Sequence, residues 1–177
     1  MEFLENIKDR FFNSVLEQRG AFAESKRTLM NFETAKRFGI IYDSSVVGND
    51  ILITKTSEFL KNKGKEVSVL AFLNDKVTHQ KADVTIFNRN DINWYGVPQN
   101  DAVTSFCNQP FDVLLCAYHA PLRPLEYIAH LSKSACRVGI FNQAKTREFE
   151  LMIQPESGAN MQQILQSMIT LLNQIKL

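Results

Sequence analysis

The distribution of apolar and polar positions predicts alternating strands and helices, and it is clearest between Phe111 and Phe141. This stretch begins with an apolar run over 111–118, continues with a helical pattern over 122–134, and ends with a second apolar run over 136–141. A strand, a helix and a strand within about thirty residues form a βαβ unit, the unit that builds parallel sheets. The stretch therefore predicts an α/β fold.

Shorter patterns of the same kind lie on both sides of this unit. They predict strands at 36–43, 66–73, 84–87 and 150–154, and helices at 48–62, 101–107 and 160–175. The first strand is apolar on both faces, as is typical of a central parallel strand. Together these elements predict a single Rossmann-like, doubly wound, mostly parallel sheet of five or six strands, in the order 3-2-1-4-5-6.

An amphipathic helix is predicted ahead of the sheet, over residues 2–19. Its apolar face carries Phe3, Leu4, Ile7, Phe11, Val15 and Leu16, with Phe12 on the flank. Because the periodicity fades after residue 20, we expect a helical arm and linker at 1–34 and a Rossmann-like domain at 35–177. The apolar face packs either on its own domain or on a second molecule. We favour a second molecule, since the sheet already has helices for both of its faces.

The candidate interaction residues lie on this arm and in one loop. The loop spans 88–99, where a glycine and a proline interrupt the pattern, and it holds the single tryptophan. The candidates are Phe3, Ile7, Phe11 and Trp94, and the partner is a second copy or another protein.

Composition excludes several broad classes of protein. Of the 177 residues, 45% are hydrophobic and 22% are charged, which is typical of a soluble globular chain. The formal net charge of +1 lacks the basic excess of nucleic-acid-binding domains, so nucleic acid is not an expected partner. No apolar run approaches the roughly 20 residues of a membrane span. Since the N-terminus also lacks the features of a signal peptide, we expect a cytoplasmic protein.

The cysteines and histidines predict neither a disulfide framework nor a metal site. The three cysteines, Cys107, Cys116 and Cys136, have no metal-ligand spacing, and two of them fall in predicted strands. The three histidines are scattered and lack neighbouring carboxylates at ligand spacing. We therefore expect reduced, free thiols, no metal and no cofactor.

Polar side chains follow several predicted strands, at the edge where open parallel sheets bind ligands. His119 ends a strand, and Arg123 follows closely, so that an imidazole and a guanidinium are available for a phosphate or carboxylate ligand. A histidine in a solvated turn is the plainer interpretation. The candidate ligand-binding residues at this edge are Asp43, Ser44, Ser45, His119, Arg123 and Asn142.

Familiar catalytic and phosphate-binding motifs are missing. The turn after the first strand contains one glycine, Gly48, which is too few for a pyrophosphate loop. A helix N-terminus there can still attract an anion through its free N–H groups. The chain has neither a Walker-type lysine loop nor a nucleophile elbow. No catalytic residue is therefore assigned.

Several separated blocks carry a resemblance to known proteins. They are Asn93-Trp94-Tyr95-Gly96, Phe111-Asp112, Pro124 to Ile128, Leu131-Ser132-Lys133, Val138-Gly139 and Leu151-Met152-Ile153. On these blocks the chain, from about residue 35 to 175, resembles a bacterial family of small α/β proteins of unknown function. The resemblance implies a cytoplasmic α/β protein without established catalytic residues. His119 departs from the pattern of that family.

A fainter resemblance is to the N-terminal half of GT-B glycosyltransferases of the heptosyltransferase kind. They share a strand ending in Phe/Tyr-Asp, a helix, and a strand with Arg-Val/Ile-Gly, as at Phe111-Asp112 and Arg137 to Gly139. A nucleotide-sugar site of that kind implies a second α/β domain, for which this chain has no residues.

Two functions from different classes remain open. The first is a non-enzymatic binding or protein-interaction module that uses the N-terminal helix or the Trp94 loop. The second is a small-molecule binder for a phosphate, nucleotide or sugar, or a glycosyltransferase-like enzyme, at the polar edge of the sheet. We favour the first, because no catalytic constellation is present.

Overall fold

The computed structural model describes residues 2–20, 26–77, 81–143 and 148–177, with the side chain of Glu2 left out. The strands in these ranges are β1 (Arg37–Asp43), β2 (Glu66–Leu73), β3 (Thr85–Asn88), β4 (Val113–Ala117), β5 (Cys136–Ile140) and β6 (Leu151–Ile153). The α-helices are α1 (Glu2–Gly20), α2 (Asn49–Asn62), α3 (Asp101–Asn108), α4 (Arg123–Leu131) and α5 (Met161–Gln174). A short 3₁₀ helix spans Arg89–Asp91.

The strands form one six-stranded sheet in the order β3-β2-β1-β4-β5-β6, and each described pairing is parallel. This confirms the predicted α/β fold class and strand order. β1 and β4 are neighbours at the centre, where Leu114 and Leu115 are fully buried. Because both faces of these strands are covered, their sequences are apolar throughout rather than alternating.

Each face of the sheet is covered by its own layer of helices. On one face, α2 and α5 pack on residues such as Phe38 and Ile40 of β1. On the other face, α3, α4 and α1 pack on residues such as Ile41 and Phe72. The connections after β1 and β4 therefore leave the sheet towards opposite faces. A crevice opens between them at the carboxyl edge.

A fully buried arginine joins the last two strands. The Arg137 guanidinium donates to both carboxylate oxygens of Glu150, at 3.1 Å from Nε and 3.0 Å from Nη2, and to the Ala129 carbonyl at 3.1 Å from Nη1. A buried charge is tolerated only when it is paired and hydrogen-bonded, and this side chain meets both conditions. Its role is structural.

Helix α1 packs on its own domain, against α4. Phe12 is only 3% exposed, and Val15 and Leu16 pack beside it in the second apolar layer. Arg19 donates a hydrogen bond to the Tyr127 hydroxyl of α4. Since an isolated helix of this length is marginal in water, these contacts account for its stability.

The apolar face predicted for α1 differs from the face that it buries. Phe12, placed on the flank by the sequence pattern, is the buried phenylalanine. Phe3, Leu4 and Phe11, which belong to the predicted apolar face, are 75%, 61% and 51% exposed. The pattern contains two overlapping apolar stripes, and the contacts with α4 select the one that includes Phe12.

Candidate functional site

The candidate ligand-binding residues divide among separate places along the carboxyl edge. Asp43 ends β1, and Ser44 and Ser45 form the turn after it. His119 lies in the loop after β4, while Arg123 is the first residue of α4. The structure brings Asp43 and His119 to one cleft and sends Arg123 to another.

The first cleft, which we name the switch cleft, lies between the loops after β1 and β4. It has a volume of about 340 Å³, and its walls are largely apolar. Its polar lining residues are Asp43, Asn49, Tyr118, His119 and the helix cap Asn160. Its location is the topological switch point of the sheet, where α/β folds bind ligands. Two of the six predicted residues thus share a site of the expected kind.

Ser44 belongs instead to a closed hydrogen-bond cluster. The Asp50 carboxylate accepts from the Tyr42 hydroxyl and from Ser44 Oγ, each at 2.7 Å, and forms an ion pair with Lys81. Lys81 Nζ also donates to Ser44 Oγ at 3.0 Å. Burial, with the hydrogen bond to Asp50, raises the pKa of Tyr42. A lysine paired with a carboxylate is not a general base, so this cluster does not activate Ser44 as a nucleophile.

Ser45 stabilises the same turn. Its Oγ accepts a hydrogen bond from the Asn74 backbone N–H at 2.7 Å, and its own N–H donates to Asp43 Oδ1 at 2.9 Å. These contacts connect the loop after β1 to the loop after β2. The serine therefore orders the edge of the sheet.

Arg123 is held by α1. Its Nη2 donates to Glu5 Oε2 at 2.7 Å and to Asp9 Oδ1 at 2.8 Å, and its Nε donates to Asp9 Oδ1 at 3.0 Å. Burial opposes the charge of the guanidinium, but these hydrogen bonds raise the pKa of Arg123. Hydrogen bonds from Lys8 and Arg123 lower the pKa of Glu5 to about 2. The guanidinium and His119 consequently do not form a joint anion site.

The second cleft, which we name the arm cleft, lies between α1 and the carboxyl ends of β2 and β3. Its volume is about 690 Å³. Phe72 and Ile92 contribute apolar surface, and Trp94 lines it as well. Lys76 and Arg89 enter it from the loops after β2 and β3. Sequence reasoning missed both cations, because neither lies in a recognisable motif.

Trp94 and Phe11 meet at the surface. Their ring centroids are 5.2 Å apart in an edge-to-face arrangement, and Tyr95 lies 5.9 Å from Phe11. This loop conformation requires a glycine at position 96, because the φ of 91° lies in the left-handed region. A Cβ at this position would also come too close to the Arg123 side chain. Two of the predicted interaction residues, far apart in the chain, thus form one exposed aromatic contact.

Asn142 lies apart from the two clefts just described. It lines a small pocket of about 70 Å³, together with His119 and Tyr118. Within the described ranges, no group of three or more His, Cys, Asp or Glu side chains is placed to bind a metal. Cys107, Cys116 and Cys136 are buried and free.

Burial also governs the chemistry of the cysteines. It raises the pKa of Cys107 to about 12 and that of Cys136 to about 11. A thiolate is the reactive form of cysteine, so these thiols are poor nucleophiles near neutral pH. They belong to the core.

Comparison with known proteins identifies a solved structure with a similar fold and the family of this chain. The structure is similar to the crystal structure of an exopolyphosphatase-related protein from Bacteroides fragilis, with a TM-score of 0.51 and 16% sequence identity. The match covers 80% of this chain and 41% of that one, so this chain spans well under half of its length. At such identity the likeness concerns the fold alone. No curated protein gave a significant match.

Two further findings bear on the whole chain. Among the described residues, no helix is both long enough and apolar enough to span a membrane. A family model matches residues 5–175, a range that includes nearly all of α1 together with the sheet. The chain belongs to the family of unknown function DUF6913.

Proposed function

We propose that the protein is a non-enzymatic interaction module that pairs with a second copy of itself through α1. The pairing surface, which we name the apolar patch, consists of Phe3, Leu4, Ile7, Phe11 and Trp94. The observation that carries the proposal is the exposure of Phe3, Leu4, Phe11 and Trp94, from 51% to 75%. Contiguous exposed apolar surface with aromatic side chains is characteristic of protein interfaces.

The patch is suited to a copy of itself because it is nearly symmetric. Phe3, Ile7 and Phe11 are each four residues apart, and they therefore form one stripe along the helix. When two such helices pair antiparallel about a twofold axis at Ile7, Phe3 of each copy meets Phe11 and Trp94 of the other. Isologous interfaces of this type are the commonest in homo-oligomers.

The two sides of α1 then have different roles. Phe12 and its neighbours attach the helix to its own domain, and the ion pairs of Arg123 set its rotation. This fixed rotation presents Phe11 beside Trp94 rather than burying it. A surface held in place before binding avoids an ordering cost in the complex.

Light scattering coupled to size-exclusion chromatography tests the proposal. The wild-type protein should form dimers as its concentration rises, and Phe11→Ser should remain monomeric under the same conditions. Ile51→Ser, on α2, is a matched control, because Ile51 is 62% exposed but lies outside the apolar patch. A wild-type protein that stays monomeric at every concentration contradicts the proposal, as does equal loss of dimer in both variants.

A second candidate function is the binding of a small molecule in the switch cleft. It is favoured by one observation, namely that Asp43 and His119 line the same cleft at the switch point. The apolar walls suit an organic ligand with a polar group directed at these two residues. His119→Ala should then abolish thermal stabilisation by any ligand found in a metabolite screen. A ligand that stabilises wild type and variant equally would bind elsewhere.

We further propose a reducing, cytoplasmic setting for the protein. Three buried free thiols support it, since secreted proteins with several cysteines usually form disulfides. Fractionation of cells, followed by detection of the native protein, tests it. Recovery with a secreted or periplasmic fraction would contradict it.

A further inference from the structure

We propose that the arm cleft binds a nucleoside phosphate, with Lys76 and Arg89 on the phosphate and Trp94 against the base. This inference shares Trp94 with the apolar patch, so its test is made at low protein concentration, where two copies do not pair. It also concerns a different cleft from the one that contains Asp43 and His119.

Hydrogen bonds join the two loops that carry these cations. The Arg89 N–H donates to the Asp75 carbonyl at 3.0 Å, and Asn90 Nδ2 donates to the Lys76 carbonyl at 3.0 Å. These bonds join the loops after β2 and β3 at the carboxyl edge of the sheet. Both residues line the arm cleft.

Lys76 and Arg89 differ from the other cations of the cleft in that neither forms an ion pair with another described residue. Lys8 is paired with Glu5, and Arg123 is paired with Glu5 and Asp9. Among the described residues, the Lys76 ammonium and the Arg89 guanidinium have neither an ion pair nor a side-chain hydrogen bond. An anion bound in the cleft is therefore able to pair with both of these cations. Arginine offers a fork that matches phosphate oxygens, and lysine adds a point charge.

Trp94 supplies the complementary surface for a planar ring. It is the single tryptophan of the chain, and it is 58% exposed at the mouth of the cleft. Phe11 and Tyr95 both contact it in edge-to-face geometry, so its orientation is fixed before any ligand arrives. A fixed aromatic face is what a nucleobase stacks upon.

The N-terminus of α4 adds a further favourable element. Leu122 and Pro124 of this helix start line the cleft, and the nine-residue helix has no side-chain cap. Free N–H groups and the helix dipole favour an anion at this end. The two cations define the site, and the helix end adds to it.

The cleft suits a small ligand better than a polymer. Its volume of about 690 Å³ lies within the range of roughly 300–1,000 Å³ that is usual for small-molecule sites. Glu5, Asp9 and Glu126 also line the cleft and would repel an extended polyanion. Because the net charge of the chain is only +1, the protein lacks the extended basic surface that a long nucleic acid binds.

Isothermal titration calorimetry with ADP, inorganic pyrophosphate and adenosine tests the proposal. ADP should bind the wild-type protein, and Lys76→Ala with Arg89→Ala should weaken that binding at least tenfold. The matched control removes two exposed cations at the opposite edge of the sheet, Lys36→Ala with Lys133→Ala, and should leave the affinity for ADP unchanged.

The two smaller probes separate the contributions of phosphate and base. Pyrophosphate should bind more weakly than ADP and lose its binding in the Lys76→Ala, Arg89→Ala variant. Trp94→Ala should weaken ADP severalfold while leaving pyrophosphate unchanged. Absence of ADP binding at millimolar concentration overturns the proposal. Adenosine that binds as tightly as ADP also overturns it, and so does an equal loss of affinity in the control variant.

Discussion

Replacing Phe12 by alanine should destabilise the protein far more than replacing its neighbour Phe11. Phe12 is 3% exposed and lies in the second apolar layer, so its truncation removes buried surface and leaves a cavity. Such changes reduce the free energy of unfolding by about 3–5 kcal/mol. Phe11 is 51% exposed, and its half-burial corresponds to a loss of about 1 kcal/mol. The difference between these two losses in the free energy of unfolding measures how strongly α1 packs on its own domain.

Urea denaturation followed by far-ultraviolet circular dichroism measures both losses. The protein should be kept at low concentration, so that pairing between copies does not add stability to the Phe11 site. Both variants change the same atoms in the same helix, which cancels differences in helix propensity. Equal losses for the two variants would refute the docking, and a larger loss for Phe11→Ala would show that the helix is rotated towards its other stripe.

Four further outcomes follow from the structure. Arg137→Ala should lower the free energy of unfolding by about 3–5 kcal/mol in urea, because it removes a fully buried side chain and leaves the Glu150 carboxylate with only its longer ion pair to Arg27; a loss under about 1 kcal/mol would contradict this. Leu115→Ala should lower it by about 2–5 kcal/mol, and a loss below about half a kcal/mol would place β4 at an edge. Hydrogen bonds from Lys8 and from Arg123 lower the pKa of Glu5 to about 2, so the stabilisation that these contacts give to the docked helix is present above the ordinary value of 4.5 and is lost as the pH falls towards 2; the fluorescence of Trp94 should change in that window, and a flat profile would contradict it. The three cysteines should react with a thiol reagent only after unfolding, and mass spectrometry of labelling under native conditions checks this.

The sheet could be predicted from the sequence because a strand that is buried on both faces is a continuous apolar run. Strand β4 is apolar throughout, and β1 is apolar between its charged ends. In the helices between strands, apolar residues recur at the helical spacing instead. The predicted strand order is the usual order of doubly wound folds, with the first and fourth strands adjacent at the centre. No contact between distant residues was needed for either inference.

The rotation of α1 could not be predicted in the same way. Phe11 and Phe12 are adjacent, and each belongs to an apolar stripe, so the period alone does not choose between them. The choice depends on Arg123, which is more than a hundred residues away and bonds to Glu5 and Asp9. The acidic pair at 5 and 9 is a visible signal of a basic partner, but the sequence does not identify which one.

The candidate site was predictable only in part, for a similar reason. Asp43 and His119 follow adjacent central strands, so their approach is a consequence of the strand order. Arg123 lies four residues after His119, yet it starts a helix that directs it towards α1. The arm cleft is assembled from several distant segments and has no local signature. The division into an arm at 1–34 and a domain at 35–177 stays a prediction.

Crosslinking through Ile7 tests the proposed pairing of two copies most directly. Ile7→Cys places one thiol at the centre of the stripe, where the twofold axis should bring it next to its equivalent in the second copy. Antiparallel helices in contact are about 8–10 Å apart between axes, which brings facing side chains within reach of a disulfide. Because the native cysteines are buried, they should contribute no background. Mild oxidation should convert Ile7→Cys to a covalent dimer, and Asn13→Cys, exposed on the same helix but off this stripe, should stay monomeric. Equal crosslinking of both variants, or none in Ile7→Cys, would contradict the account.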